Sequence, residues 1–271
     1  MATPFLDPEE YDEQAHHLYQ MGEYDRALEL LKEGLSLYPN SLELLLGLGY
    51  TRLAREEFVW AKIAFERALA IEPNDDDARA GLGEVLLRFG QHDRALELFN
   101  EVKEGVPPLR AVDAEQLIGI GRALYREQLY REALDFFDTA LALSPLSADG
   151  YTSRAYTLHR LNATGKAIED LIIALELNSE HTEAQIYLGH LLYDQGKWED
   201  ALDHFEAIPL EEQWDALAVC RVLELKTTLR GLDSTDPEIT AWNDRLDELA
   251  SFSDPIDELL SEVERQARFP R

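Results

Sequence analysis

The side chains best suited to chemistry in this sequence are aromatic and basic, and they recur. Arg122, Tyr125 and Arg126 stand close together, then Tyr156, His159 and Arg160, then Tyr187, His190 and Tyr193. Tyrosine offers a large contact area at low entropic cost, and arginine grips carboxylates bidentately. A set of this kind binds acidic and aromatic or apolar groups. The corresponding places earlier in the chain hold acids, Glu9, Asp12, Glu13, Glu43, Asp77 and Glu84, with Tyr50 as the one aromatic. The charge therefore changes sign along the series. Stacking and ion pairing inside the molecule is the competing use for the same residues.

Catalytic groupings are not found. Gly47-Leu48-Gly49, Gly81-Leu82-Gly83 and Gly119-Ile120-Gly121 look like the start of a nucleotide loop, but none continues to a third glycine and none follows a strand pattern. Asp75, Asp76 and Asp77 resemble part of a calcium loop. Counting from Asp75, however, the sixth place is Ala80 and the twelfth is Leu86, so helix N-capping is the better reading. His16 and His17 point about 100° apart on a helix, and no His-Glu-x-x-His run exists. Cys220 sits in an apolar helical pattern and reads as a core thiol. No serine lies in a nucleophile elbow. The expectation is a protein that is not an enzyme, with no cofactor and no metal.

Composition narrows the partners. The 271 residues carry 54 acids against 25 bases, a formal net charge of -29. Such a surface repels phosphate backbones and anionic membranes, so neither nucleic acid nor membrane is expected as a partner. A single cysteine allows no internal disulfide and suits a reducing compartment. The N-terminus shows no basic and apolar leader, and no run of 18 apolar residues occurs. A cytoplasmic location is expected.

The elements that must position these side chains are helical. From Ser41 the chain reads SLELLLGLGYTRLAREEFVWAKIAFERALAIEPND, two amphipathic patterns joined by a short polar turn. Leu45, Leu48, Gly49, Ala61, Phe65, Ala68 and Pro73 mark a frame that recurs at about 34 residues, the mark of a repeat array. Gly49 and Ala61 are small where two helices cross, Phe65 fills the space beside the crossing, and Pro73 ends the second helix. Leu82-Gly83 with Ala95 and Phe99, Ile120-Gly121 with Ala133 and Phe137, and Leu188-Gly189 with Ala201 and Phe205 repeat it. These residues resemble the tetratricopeptide repeat pattern of W-x2-L-G-x2-Y, A-x3-F and a closing Pro. Leu45 takes the Trp place and Arg52 the Tyr place.

The resemblance implies an all-α, right-handed superhelical solenoid of antiparallel helix pairs. About six repeats are expected, at 8–41, 42–75, 76–109, 114–147, 148–181 and 182–213, after a lead of residues 1–7. Four extra residues, Arg110 to Asp113, interrupt the frame. Residues 214–271 read as a degenerate last repeat and an acidic helical cap. Its helices run from Trp214 to Leu229, from Asp236-Pro237 to about Ala250, and from Asp254-Pro255 with Ile256, Leu259, Leu260 and Val263 on one face.

In this family the first helix of each repeat lines a concave groove that binds partners. The resemblance therefore places Tyr50, Arg122, Tyr125, Arg126, Tyr156, His159, Arg160, Tyr187, His190 and Tyr193 in that groove. One inner place is Gly47, Gly81 and Gly119, then Ser153, then Tyr187, so the groove is expected to narrow toward its C-terminal end. Those glycines serve either close helix packing or room for a ligand backbone. The family's carboxylate clamp is absent: its places hold Asp12, His16, Gly47, Asp77 and Gly81, or Ile118, Arg122, Ser153, Glu183 and Tyr187. The implied function is a non-catalytic scaffold or adaptor that holds a peptide or helix. The alternatives are a self-assembling structural protein, and a chaperone or regulatory subunit for one client.

Overall fold

The computed structural model describes residues 6–105 and 113–251. Among these it contains fourteen α-helices, one short 3-10 helix and no strand. The chain divides into two compact units, Met1–Pro145 and Leu146–Arg271. The first holds α1 (Pro8–Gln20), α2 (Tyr24–Leu37), α3 (Leu42–Ala54), α4 (Phe58–Ile71), α5 (Asp76–Arg88), α6 (His92–Glu104), α7 (Ala114–Arg126) and α8 (Tyr130–Leu143). The second holds α9 (Ala148–Arg160), α10 (Thr164–Leu177), α11 (Thr182–Asp194), α12 (Trp198–Glu206), α13 (Ala216–Arg230) and α14 (Pro237–Ser251).

The odd-numbered helices through α13 start alike. Asp7, Ser41, Asp75, Asp113, Ser147, His181 and Asp215 are their N-caps, and each side chain accepts a backbone N–H of the first turn. Asp75 is thus a cap rather than a calcium ligand. Of the four extra residues only Asp113 is described; the Pro107-Pro108 pair and the helix expected from Asp254 lie outside the described residues. Asp215 stands 34 residues after His181, so α13 begins in the repeat frame, in a stretch read from the sequence as degenerate.

The even-numbered helices from α2 to α12 have no side-chain cap. The turn itself sets their start. One residue in each turn takes positive φ: Gly22, Glu56, Gly90, Gln128, Asn162 and Gly196. The N–H after it returns to the preceding helix, as from Glu57 to Arg52 O at 2.9 Å and from Lys197 to Leu192 O at 3.0 Å. A side chain there costs about 1–2 kcal/mol, partly offset by the greater unfolded-state entropy of glycine. Glu56→Gly and Gln128→Gly should therefore leave stability unchanged or raise it by up to about 1 kcal/mol, while Gly196→Ala lowers it by about 1 kcal/mol in urea melts.

Four of the helix pairs, α3–α4, α5–α6, α7–α8 and α11–α12, close around a small residue and a phenylalanine, and α1–α2 has Ala27 and Leu31 at those places. Ala61, Ala95, Ala133, Ala167 and Ala201 are fully buried, as are Phe65, Phe99, Phe137 and Phe205. A Cβ on Gly49 would meet the Phe65 ring at 2.5 Å; Gly83 faces Phe99, Gly121 faces Phe137 and Gly189 faces Phe205 in the same way. The α9–α10 pair uses other means. Leu171 replaces the ring, and Arg154 of α9 grips the buried Asp170 of α10 through two hydrogen bonds of 2.7 and 2.8 Å.

Helices α13 and α14 are anchored by charge as well as by apolar contact. Ile239 and Trp242 of α14 are buried. Arg245 Nε donates to the Gln213 carbonyl at 2.8 Å. Lys226 of α13, fully buried, joins Glu206 of α12 to Glu238 of α14. Cys220 departs from expectation: it is exposed on α13. The buried stripe of that helix is Ala218, Val219, Val222 and Leu225, and Cys220 falls to its side.

Candidate functional site

The ten candidate residues lie on odd-numbered helices and divide between the two units. Tyr50, Arg122, Tyr125 and Arg126 belong to the first, where α1 packs beside α3, α3 beside α5 and α5 beside α7. Tyr156, His159, Arg160, Tyr187, His190 and Tyr193 belong to the second.

In the first unit α5 holds two of the candidates, Tyr50 and Arg126. The Tyr50 hydroxyl donates to the Asp77 carbonyl at 3.0 Å, and its ring meets Phe65 edge-on with centroids 5.1 Å apart. Burial, reinforced by Asp77 and Glu84, pushes this phenol far above its ordinary range. Arg126 forms an ion pair with Glu84. Arg122 is exposed on α7, and Tyr125 packs against Tyr130 with centroids 5.4 Å apart. Gln116 Nε2 donates to Asp77 Oδ1 at 2.7 Å.

The acidic end is less uniform than its sequence suggests. Tyr19 accompanies Tyr50 there, so Tyr50 is not the one aromatic. Both line a cavity of about 450 Å³ together with Asp12, His16, Glu43, Gly47 and Asp77. Burial raises the Asp12 carboxyl above the usual carboxylate range, although His16 pulls it back. Tyr19 was legible: it occupies in repeat one the place that Tyr125, His159 and Tyr193 occupy in later repeats, late in the first helix.

In the second unit the candidates form a row of contacts across three helices. The Tyr156 and Tyr187 rings are 4.1 Å apart between centroids. His159 Nδ1 lies 2.5 Å from the Tyr187 hydroxyl. Tyr193 donates to Glu224 at 2.7 Å. Arg160 is exposed at the end of α9.

His190 is fixed by its neighbours. Arg221 Nη1 lies 2.9 Å from His190 Nδ1, and a guanidinium only donates, so Nδ1 accepts and Nε2–H donates to Asp215 at 2.9 Å. Burial pushes the Asp215 carboxyl up. Hydrogen bonds from His190 and from the Leu217 and Ala218 amides outweigh that and hold it below the ordinary carboxylate range. Arg221 also binds Asp194 at 2.8 Å and stacks over Tyr193 with its Cζ 4.3 Å from the ring centroid. Sequence reading missed Arg221 and Glu224. Both lie 34 residues after recognised candidates, Tyr187 and His190, and ending the frame at residue 213 hid them.

The three inner glycines serve different ends. A Cβ on Gly81 would meet the Phe65 ring at 2.3 Å, so that position is close packing. A Cβ on Gly119 would meet nothing within 4 Å. At Gly47 it would lie 3.0 Å from Leu31 and 3.2 Å from the Asp12 carboxylate, on the wall of the cavity.

Helix pairs repeated at one period, with half-buried aromatic and charged side chains along their first helices, define a helical-repeat protein. Models described as tetratricopeptide repeat match residues 8–51, 53–114, 118–171 and 164–216, and the chain belongs to that family. Anaphase-promoting complex subunit 3 of Schizosaccharomyces pombe is 27% identical over 183 residues, 68% of this chain and 27% of that protein. Protein O-mannosyl-transferase TMTC1 of Homo sapiens is 25% identical over 191 residues, 69% of this chain and 21% of that protein. The chain thus spans about a quarter of the length of these relatives. The structure of Pseudomonas aeruginosa pilF is similar with a TM-score of 0.61 at 20% identity, covering 82% of this chain and 97% of that one, a likeness of fold. Proteins of the family generally mediate protein–protein interaction. No helix among the described residues is long and apolar enough to cross a membrane.

Proposed function

We propose that this protein is a non-catalytic scaffold or adaptor that holds a peptide or helix of a partner protein against its odd-numbered helices. The binding array runs through the six repeats expected over residues 8–213, and α13 and α14 cap it. The observation that carries this reading is the Tyr156, Tyr187 and His159 cluster: half-buried rings locked together on adjacent first helices, presenting rigid aromatic surface. Such surface binds with little loss of side-chain entropy. Arg160 is exposed at the end of α9; in the first unit Arg122 is exposed and Arg126 is half exposed in its pair with Glu84. They suit carboxylates of the partner. His190 and Arg221 of the second unit are engaged with Asp215 and Asp194 and act as supports.

The triple substitution of Arg122, Arg126 and Arg160 by Glu tests this. It should abolish partner capture in salt-sensitive pull-downs while helicity and melting stay nearly unchanged. Survival of capture removes the arginines from the site.

A second reading, self-assembly, has one observation of its own. Val59, Trp60 and Ile63 on α4 are 60%, 59% and 42% exposed. The same places in neighbouring repeats hold Asp25, Arg26 and Glu29, then Asp93, Arg94 and Glu97. Light scattering on the same preparations separates the readings: a concentration-dependent size that the Arg variants keep favours self-assembly through this facet.

A further inference from the structure

We propose that the cavity between α1, α2, α3 and α5 is a subsite for a basic side chain, lysine or arginine, of a protein partner. The cavity measures about 450 Å³, the size range of pockets that enclose a side chain or small ligand. Its walls are of two kinds. Ala15, Leu31 and Leu46 give an apolar floor for an aliphatic stem, and the absence of a side chain at Gly47 keeps that floor open. Tyr19 and Tyr50 bring aromatic rings, and Asp12, Glu43 and Asp77 bring carboxylates. No lysine or arginine lines it. An ammonium or guanidinium group on an apolar stem matches both kinds of wall, through ion pairs and cation–π attraction.

Asp12 distinguishes this cavity from an ordinary acidic surface. Its carboxylate is half-buried and makes no hydrogen bond or ion pair among the described residues. Burial disfavours its charge, His16 pulls in the other direction, and Glu43 and Glu13 disfavour it further. A cation in the cavity relieves both effects. A metal ion fits less well, because no group of three or more His, Cys, Asp or Glu among the described residues could hold one.

This subsite stands apart from the arginine set of the proposed function and shares only Tyr50 with the candidate residues. Its failure and the failure of that reading are separable, since one test alters Asp12 and His16 and the other alters Arg122, Arg126 and Arg160.

The experiment is an NMR titration of the full chain with an acetylated, amidated Gly-Ala peptide bearing one central arginine, against the same peptide with the neutral isostere citrulline. The expected result is saturable shifts of the Tyr19 and Tyr50 ring signals, with affinity falling about tenfold or more for citrulline. Asp12→Asn should lower the affinity likewise. His16→Lys puts a cation on the exposed rim without touching the core, and should block the peptide while leaving the melting curve unchanged. Equal binding of the citrulline peptide, or shifts confined to Tyr156 and Tyr187, overturns the proposal. So does saturation of the same signals by calcium or magnesium, or by free agmatine more tightly than by the peptide.

Discussion

Phe65→Ala should cost about 3–5 kcal/mol, the range for truncating a fully buried phenylalanine without collapse of the hole. Phe65 serves two repeats at once. Its ring fills the notch of Gly49 in its own helix pair and reaches Gly81 of the next. Around it lie Ala61 and Val85, with Leu46, Tyr50, Leu53 and Leu82 packed against them. In a repeat array, stability is approximately a sum of repeat terms and neighbour interfaces, and this substitution removes part of both. Hydrogen exchange is the appropriate readout, because it locates the loss. Amides of α3, α4 and α5 should lose protection, while those of α11 and α13 keep theirs. Phe65→Leu retains most of the volume and should cost clearly less. A loss below about 1 kcal/mol for Phe65→Ala would mean that the notch closes over the gap.

Lys226→Ala is the second large effect. The lysine is fully buried, contacts Glu206 and Glu238, and has its Nζ 5.7 Å from the centroid of the Trp242 ring. Removing one partner of a buried ion pair costs about 3–5 kcal/mol when the other is stranded. Here the carboxylates have an alternative in Arg230, which pairs with Glu206 at 2.5 Å and approaches Glu238 at 3.6 Å. The expected loss is therefore near the lower end, about 3 kcal/mol. It should appear as detachment of α14, seen as a red shift of Trp242 fluorescence and loss of protection confined to α13 and α14. Lys226→Met keeps the stem and volume and should recover much of the loss, because an apolar replacement strands no charge inside. Equal losses for Ala and Met would assign the whole contribution to the ion pair rather than to packing.

Much of the fold was legible because the constraints behind it are local and repeated. A glycine facing a ring, as at Gly49 and Phe65 or Gly189 and Phe205, leaves the same pair of letters at the same interval each time. The N-caps from Asp7 to Asp215 do likewise. The pair α9 with α10, which has a leucine in place of the ring, shows its further support only in three dimensions: Arg154 and Asp170 read as ordinary surface charges until their bidentate contact is seen.

The candidate site was legible in its residue types and not in its partnerships. Whether Arg126 is available to a ligand depends on Glu84, and which way the His190 ring presents its donor depends on Arg221 and Asp215. Those are side-chain meetings between neighbouring repeats, and a period alone does not specify rotamers. Cys220 illustrates the same limit on a smaller scale. Its apolar neighbours suggested burial, yet the buried stripe of α13 passes it by one helical step. Arg221 was missed for a different reason: α13 keeps the repeat frame after the recognisable glycine and phenylalanine have gone.

The central claim is that a partner protein lies against the odd-numbered helices. Site-specific photo-crosslinking tests it most directly. A photoreactive phenylalanine analogue is placed at Tyr156 or Tyr187 and, as a control, at the outward Glu97 or Asp135, and the protein is irradiated in extract of its source cells. One discrete crosslinked protein is expected from the Tyr156 and Tyr187 positions, lost when Arg122, Arg126 and Arg160 are changed to Glu, and none from the outward positions. Crosslinks from the outward positions alone, or unchanged capture by the Arg variant, would contradict it.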